Sequence, residues 1–416
     1  MAIKTEHSNS HSVGKASLRF DPSCDRQATV AKILAIRESH PGNLMAQGFD
    51  PAYFASLSSD MQTRLLQCCH SGVMMADSSM GCYAMRPDDY DTFFPFFQYV
   101  ISHYHKISMD SLPPATPASE RWALTEELDF SAHGLPPLSM RVRVGRNLNA
   151  FALPGSMSRA DRVAMEGVLG AAFQKLIDRG GEFGGRYVSL TPGHANCITA
   201  QEYDQLVKDH IMFKDMSNDE YLEAAGIASE WPYGRGCYIS ADQGFLVWVG
   251  EEDHLRIMCM QVGTRLNALW SRLSAALGVI EAEVPGGFAM HANFGVVTSC
   301  PTNCGTGMRA SVHVKLPGCS LEELKALAKP LGLSVRGLGG EHTPIGADGT
   351  VDISPSARFG ISEVQIAGRL YAGIGSLLSA HAALMAQKSA AVSAPVAAVE
   401  HGHGDGHGGV DGEGKA

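Results

Sequence analysis

The sequence predicts an α+β protein, with a small all-helical domain ahead of a larger one in which strands and helices alternate. Three observations predict it. Apolar residues recur at helical spacing from about residue 27 to 108. A proline-rich stretch, MDSLPPATPASERW (109–122), then breaks the pattern, and after about residue 130 short β-branched runs appear between further helical segments. The 416 residues suffice for two domains, and 45% hydrophobic against 18% charged residues leaves ample apolar material for a core in each.

Taken in order, residues 1–26 are polar and patternless, which predicts a loose arm. The helical domain, 27–108, contains ATVAKILAI (28–36), MQTRLLQCCH (61–70) and DDYDTFFPFFQYVISHYH (88–105), with Pro95 at a boundary. A linker covers 109–130 and the second domain 131–387. Within that domain Phe245–Val249, Leu255–Met260, Phe294–Cys300 and Ala310–Leu316 read as strands. Ser158 is placed to cap a helix with Val163, Met165, Val168, Leu169, Phe173, Leu176 and Ile177 on one face. Ser320 opens SLEELKALAKPLG, with Glu322 and Glu323 in its first turn, and Ser362 starts a final helix running to about Gln387. Residues 388–416, Ala-rich and then HGHGDGHGG with His401, His403 and His407, cannot build a core and are expected to be disordered.

A net charge of −10 argues against nucleic acid or an anionic membrane as partner. There is no apolar run of the roughly 20 residues a membrane span needs. The polar start has no apolar targeting segment, and the ten cysteines include no CxxC pair, so a reducing, cytoplasmic setting is expected. GxxxxGK[ST], a strand leading into GxGxxG, HRD, DFG, HExxH and GxSxG are all missing.

What remains is a set of arginines beside the expected strands: Arg141, Arg143 and Arg146 in RVRVGRN, then Arg256, Arg309 and Arg336. Any one of them is an ordinary surface ion-pair partner. As a set in an acidic chain they suggest a cage for a polyanion such as a triphosphate, and strand alternation puts Arg141 and Arg143 on one face. Glu251, Glu252 and Asp253 follow an apolar strand, and Glu341 follows Gly339-Gly340 in a loop; such carboxylates suit a cation. Cys300 stands between Ser299 and Pro301, near Thr302, where hydroxyls and backbone N–H groups can stabilise a thiolate. Cys68, Cys69, Cys197, Cys237 and Cys259 read as buried and inert.

These segments, RVRVGRNL (141–148), EWPYGRG (230–236), FLVWVGEEDHLRI (245–257), TSCPTNCGTGMRASVHVKLP (298–317) and VRGLGGEHT (335–343), resemble the phosphagen kinase family, the guanidino kinases. SARFGISEVQ (356–365) lies in register, and the likeness covers most of 30–387. The resemblance implies a helical domain followed by a catalytic domain with an antiparallel sheet flanked by helices. It implies reversible transfer of the ATP γ-phosphoryl group to a guanidino nitrogen, with Mg²⁺ bound mainly through the nucleotide phosphates and water rather than by protein ligands. Arg141, Arg143, Arg256, Arg309 and Arg336 then form the phosphate cage. Ser139, Met140, Val142, His210, Ala310, Ser311, Val312, His313 and the run Gly337, Leu338, Gly339, Gly340, Glu341 border the nucleotide. Glu252 and Glu341 match the family's guanidinium-binding carboxylates, and Cys300 its reactive cysteine.

In the same family comparison DSSMGCYAM (77–85) resembles a short guanidine-specificity loop, in which Ser79, Met80, Gly81, Cys82 and Tyr83 would meet the substrate carboxylate. With Glu341 and Tyr104 this implies L-arginine and phosphoarginine as the guanidine pair, alongside ATP and ADP, and no obligate protein partner. Ser79, Cys82, Met140, Gly250, Cys304 and Gly339 depart from the usual residues without removing a proposed catalytic group. The alternatives are another guanidine (taurocyamine or creatine) or a bacterial-type protein-arginine kinase, which lacks the helical domain. A pseudokinase would need a lost cage arginine or carboxylate, and all are in place.

Overall fold

The computed structural model describes residues 18–111, 120–338 and 343–393. Six helices come first: α1 (Arg26–Ser39), α2 (Leu44–Gly48), α3 (Pro51–Ser56), α4 (Ser59–Met74), α5 (Asp89–Thr92) and α6 (Phe94–His105). The first four begin at side-chain caps, Asp25, Asn43, Asp50 and Ser58, each accepting from a backbone N–H that the helix start leaves unpaired. Pro95 sits in the first turn of α6, where its missing N–H costs nothing. Ile33, Phe49, Leu66, Phe97 and Ile101 fill the core between these helices, and Phe294, Val297, Cys300 and Cys304 of the second domain complete it. The two domains therefore share one apolar cluster.

Of the expected loose arm, residues 1–17 lie outside the described residues, and residues 18–26 are more fixed than their composition predicts. Over residues 18–26, Phe20 packs edge-on against His70 and Leu18 O bonds the His70 ring at 2.8 Å. Arg19 pairs with Glu223 at 3.1 Å and Glu230 at 3.3 Å in the second domain.

The second domain is built on an eight-stranded antiparallel sheet of β1 (Leu138–Arg146), β2 (Gly185–Ser189), β3 (Gly236–Ser240), β4 (Phe245–Val249), β5 (Leu255–Gly263), β8 (Met308–Lys315), β9 (Leu333–Arg336) and β10 (Thr350–Pro355). A two-residue hairpin of β6 (Met290–His291) and β7 (Gly295–Val296) stands apart. The sheet order is β2-β3-β4-β5-β1-β8-β10-β9, which places β1 at the centre between β5 and β8. Around it lie α7 (Arg159–Arg179), α8 (Ala200–Lys208), α9 (Glu220–Ala224), α10 (Leu266–Glu283), α11 (Leu321–Ala328) and α12 (Glu363–Ser393). No described helix is long and apolar enough to cross a membrane.

Alternation assigns the faces. Met140, Val142, Val144, Ile257, Cys259, Ala310, Val312 and Ile353 point to one side and pack with α7, α10 and α12 in the main core. Ser158 caps α7 as expected, and the structure adds a reciprocal bond from Asp161 that completes a capping box. Val163 differs from expectation: it is 40% exposed, because the helix turns Arg162, Met165, Glu166, Leu169 and Phe173 inward instead. Glu166 accepts from the hydroxyls of Tyr187, Ser189 and Thr191, whereas of the Arg162 guanidinium only Nη2 is bonded, to Pro154 O at 2.6 Å and Ser229 Oγ at 3.1 Å.

Two further expectations are corrected. Phe294–Cys300 is not a strand beyond Gly295–Val296, because from residue 298 the backbone is held by side chains: Thr298 Oγ1 donates to Cys300 O and Asp253 accepts from Ser299 N. The last helix continues through Lys388 to Ser393, past the Gln387 boundary. Lys388 Nζ reaches Glu323 at 2.8 Å and Gly318 O at 2.9 Å, which ties that turn to the start of α11. Residues 394–416, with the tail histidines, lie outside the described residues.

Candidate active site

The register of the central strands gathers the arginines. Arg141 lies opposite Ser311 and Met260, Arg143 opposite Arg309 and Met258, and Gly145 opposite Arg256. Across β10, His313 faces Asp352, which in turn faces Arg336. By parity Arg141, Arg143, Arg256, Arg309 and Arg336 all occupy the sheet face opposite the core, with Ser139, Ser311 and His313. The same parity corrects part of the sequence reading. Met140, Val142, Ala310 and Val312 are fully buried on the other face, so their side chains line the core and not the cleft.

The cleft over this face has two parts. A broad one of about 720 Å³ is bounded by Ser139, Arg141, His210, Ser311, His313 and Leu338, with Met212, Met258 and Trp248 as its apolar floor. Trp248 is fixed by its indole N–H donating to Ile211 O at 2.6 Å, and the Arg256 guanidinium stacks 5.5 Å above its ring. A narrow part of about 40 Å³ is bounded by Arg143, Arg256, Arg309, Asn303 and Arg358.

The charges in the narrow part are incompletely compensated. Arg309 pairs with Asp352, and Arg256 with Glu251 at 2.7 Å. Arg143 makes no ion pair or hydrogen bond with any described residue, and Arg141 Nε is buried without a partner while its Nη2 meets only the Met258 sulfur at 2.9 Å. Burial, followed by repulsion from Arg256, Arg141, Arg309 and Arg358, holds Arg143 well below the usual guanidinium range. Burial also lowers Arg309, to about 10. Unpaired buried cations on this scale are costly unless an anion completes them. A polyanion would supply the missing acceptors.

Beside the arginines stands the acidic turn after β4. Glu252 Oε2 accepts from Asn303 Nδ2 at 3.3 Å and lies 3.9 Å from Arg256. Burial, reinforced by Asp253 and Glu251, pushes its pKa up to about 7. Asp253 holds the next segment, with Oδ1 accepting from Ser299 N and Asn147 Nδ2 at 2.7 Å each. Cys300 Sγ lies 3.1 Å from Thr302 Oγ1. The expected stabilisation by the Thr302 hydroxyl and backbone N–H is present but outweighed, because burial and then the Glu252 charge raise the Cys300 thiol. A cation between the two groups would offset both shifts.

The 77–85 loop closes the site from the helical domain. Ser79 O, Met80 O and Gly81 O accept from Leu44 N, Met45 N and Gly72 N, and Tyr83 N donates to Cys68 O. Ala84 N donates to Ser299 O at 2.8 Å, directly beside Cys300. Among the described residues the backbone N–H groups of Ser79, Met80 and Cys82 find no acceptor. Burial and the neighbouring Cys300 and Glu252 raise the Tyr83 phenol well above its usual range, which puts Tyr83 at the same centre.

Gly339, Gly340 and Glu341 lie outside the described residues. The flanks of their segment are described: a Cβ on Gly337 would collide with the backbone carbonyls of Thr343 and Pro344, so the two ends meet where only glycine fits. Sequence reasoning missed two residues. Arg358 and Asn303 join the site because Arg358 Nη1 donates to Asn303 Oδ1 at 2.6 Å, and Asn303 bonds Glu252 in turn. Both lie in quoted blocks, CPTN and SARFG, and a charged residue outside any strand pattern was the available signal.

Two family descriptions match the chain: the C-terminal catalytic domain of ATP:guanido phosphotransferases over residues 167–384, and their N-terminal domain over 39–102. An arginine kinase of Amphioctopus fangsiao is 37% identical over 315 residues, which cover 76% of this chain and 86% of that one. An arginine kinase of Anthopleura japonica is 35% identical over 358 residues, 84% of this chain but 48% of that one. The duplicated taurocyamine kinase from Schistosoma mansoni, solved with bound transition-state analogue components, superposes with a TM-score of 0.74 at 28% identity over 89% of this chain and 49% of its own. The chain thus spans about half the length of the last two. A helical domain and an arginine-faced antiparallel sheet, matched in sequence over both parts, place this chain in the ATP:guanido phosphotransferase family.

Proposed function

We propose that this chain transfers the γ-phosphoryl group of ATP reversibly to the guanidino group of free L-arginine, giving ADP and phosphoarginine. The observation that carries the reading is the juxtaposition of an under-compensated arginine face with a carboxylate, a thiol and open loop N–H groups. The first suits a triphosphate and the second a guanidinium-bearing substrate with an anionic tail. Mg²⁺, when bound, adds neutralisation at the phosphates. In this reading the ion is carried by the nucleotide phosphates and water.

Each group then has a task. Arg141, Arg143, Arg256, Arg309, Arg336 and Arg358 offset charge on the transferring phosphoryl group, the main source of rate in such a reaction. Glu252 faces the incoming guanidinium and, with its raised pKa, can take a proton near neutral pH as the nitrogen attacks. Cys300 meets the same cation, which favours its thiolate. Glu341 would bring a second carboxylate from the 339–342 segment. Tyr83 and the N–H groups of Ser79, Met80 and Cys82 suit the α-carboxylate, and His210, Ser311 and His313 border the nucleoside.

L-arginine is favoured by the short 77–85 loop and by relatives named arginine kinase at 35–37% identity. The structural neighbour named for taurocyamine supports that guanidine as the second reading. The test is a coupled assay of ADP release with Mg-ATP and L-arginine, D-arginine, creatine, taurocyamine, glycocyamine or an arginine-rich protein. Turnover with L-arginine is expected. Turnover only with taurocyamine refutes the loop argument, and turnover only with the protein refutes the free-substrate reading.

A further inference from the structure

We infer that Asp89, held by Arg64, is a positioning residue for the guanidine subsite; this rests on the function proposed above. Asp89 is fully buried. Its Oδ2 accepts from Met85 N at 2.5 Å and Arg86 N at 2.7 Å, and from Cys68 Sγ at 3.5 Å. Its Oδ1 accepts from Arg64 Nε at 2.5 Å, while Arg64 Nη2 pairs with Asp88 at 2.6 Å. One carboxylate therefore fixes two consecutive peptides directly after the substrate loop.

The arrangement has a periodic basis. Arg64, Cys68 and Gly72 recur at intervals of four on α4 and share one face. Gly72 N donates to Gly81 O, Cys68 O accepts from Tyr83 N, and Arg64 reaches Asp89 behind Met85. That face is a rail on which residues 81–86 are mounted at three points. A Cβ at position 72 would collide with Gly81, so the middle of the loop lies as close to the helix as backbone permits.

The rail leads to the chemistry. Ala84 N donates to Ser299 O, one residue from Cys300, and Ser299 N donates to Asp253, one residue from Glu252. Releasing Met85 and Arg86 would free Ala84 and Tyr83 together and loosen the guanidine side of the site. The nucleotide cleft is on the sheet and has no bond to Asp89. Burial raises the Asp89 pKa and Arg64 opposes it, so the pair is expected to act as a unit.

The test uses the full chain with Asp89→Asn, Arg64→Met, Arg64→Lys and the Asp89→Asn/Arg64→Met double variant. KM and kcat are measured for the guanidine that the wild type turns over, Mg-ADP affinity by thermal shift, and folding by near-UV circular dichroism. Expected is a rise of tenfold or more in guanidine KM for Asp89→Asn and Arg64→Met, with Mg-ADP affinity within twofold of wild type. The double variant should be no worse than Asp89→Asn, and Arg64→Lys should recover most of the loss. Unchanged KM overturns the inference, as do parallel losses of guanidine and nucleotide affinity or multiplicative effects. If Asp89→Asn does not fold, Arg64→Met decides alone. A wild type active on no guanidine fails the functional reading itself, whereas an active series with unchanged KM fails only the clamp.

Discussion

Replacing Arg143 with methionine should make the free protein more stable and the enzyme nearly inactive. The side chain is half-buried, has no acidic partner among the described residues, and faces Arg256, Arg141, Arg309 and Arg358. Exchanging an uncompensated, half-buried charge for an apolar residue of similar length should stabilise the unliganded fold by about 1–2 kcal/mol, the lower part of the range for exchanges of buried charge. For a domain of this size that raises the Tm by a few degrees. With nucleotide the order reverses. Two charge-assisted hydrogen bonds to phosphate, at about 1.5–3 kcal/mol each, correspond to a loss of about 10²–10⁴ in kcat/KM. Thermal denaturation with and without saturating Mg-ADP reads both signs in one experiment, since bound ligand at 100 times its Kd adds about 2.7 kcal/mol to the wild type. A variant that melts below wild type without nucleotide, yet gains the same shift from Mg-ADP, would refute the claim that Arg143 waits for an anion.

Further outcomes follow from the same geometry. Glu252→Gln should cut kcat by about 10²–10⁴ with nucleotide affinity retained, and wild-type kcat/KM, which reads the free enzyme, should rise with pH through about 7 while the variant lacks that limb. The sign for stability is opposite: the folded carboxyl keeps a proton that the unfolded chain releases above 4.5, so this group's contribution falls as pH rises from there to about 7, which urea titrations across that range would detect. Cys300→Ser should lower kcat while leaving the fold intact, and a retained wild-type rate would remove the thiol from the mechanism. Arg121→Ala should cost about 3–5 kcal/mol by urea denaturation, because it leaves the fully buried Glu363, now bonded at 2.5 Å, without its cation. Truncation after Gln387 should cost under about 1 kcal/mol relative to truncation after Ser393, since the lost Lys388–Glu323 pair is exposed.

Much of the site was legible because chemistry and local pattern coincide. Arg141 and Arg143 are separated by one apolar residue, and a period of two suffices to put them on one face. The same period of two turns the residues that alternate with them to the opposite face. Met140 and Val142 were assigned to the nucleotide with the arginines, yet alternation sends them into the core. Arg358 was missed because no strand period governs it; its place comes from the chain returning after β10 across Asn303 and Thr306. Phe294–Cys300 looked like a strand because it is apolar, but Asp253 and Ala84 take both polar groups of the Ser299 peptide. Lys388 was placed in a tail by composition, although a distant glutamate and a carbonyl hold it in helix.

The alternation on β1 has a consequence for how the chain reaches its native pairing. A slip of one residue between β1 and either neighbour would drive Arg141 and Arg143 into the apolar space now filled by Met140, Val142 and Val144. Two unpaired guanidinium groups there would cost more than the whole folding free energy of an ordinary domain can absorb. The groups assigned to phosphate thus also act as proofreaders of strand alignment, and a variant with several of them made apolar would lose that protection along with its catalysis. Such a chain would be expected to melt higher and yet to refold with more misaligned or aggregated product.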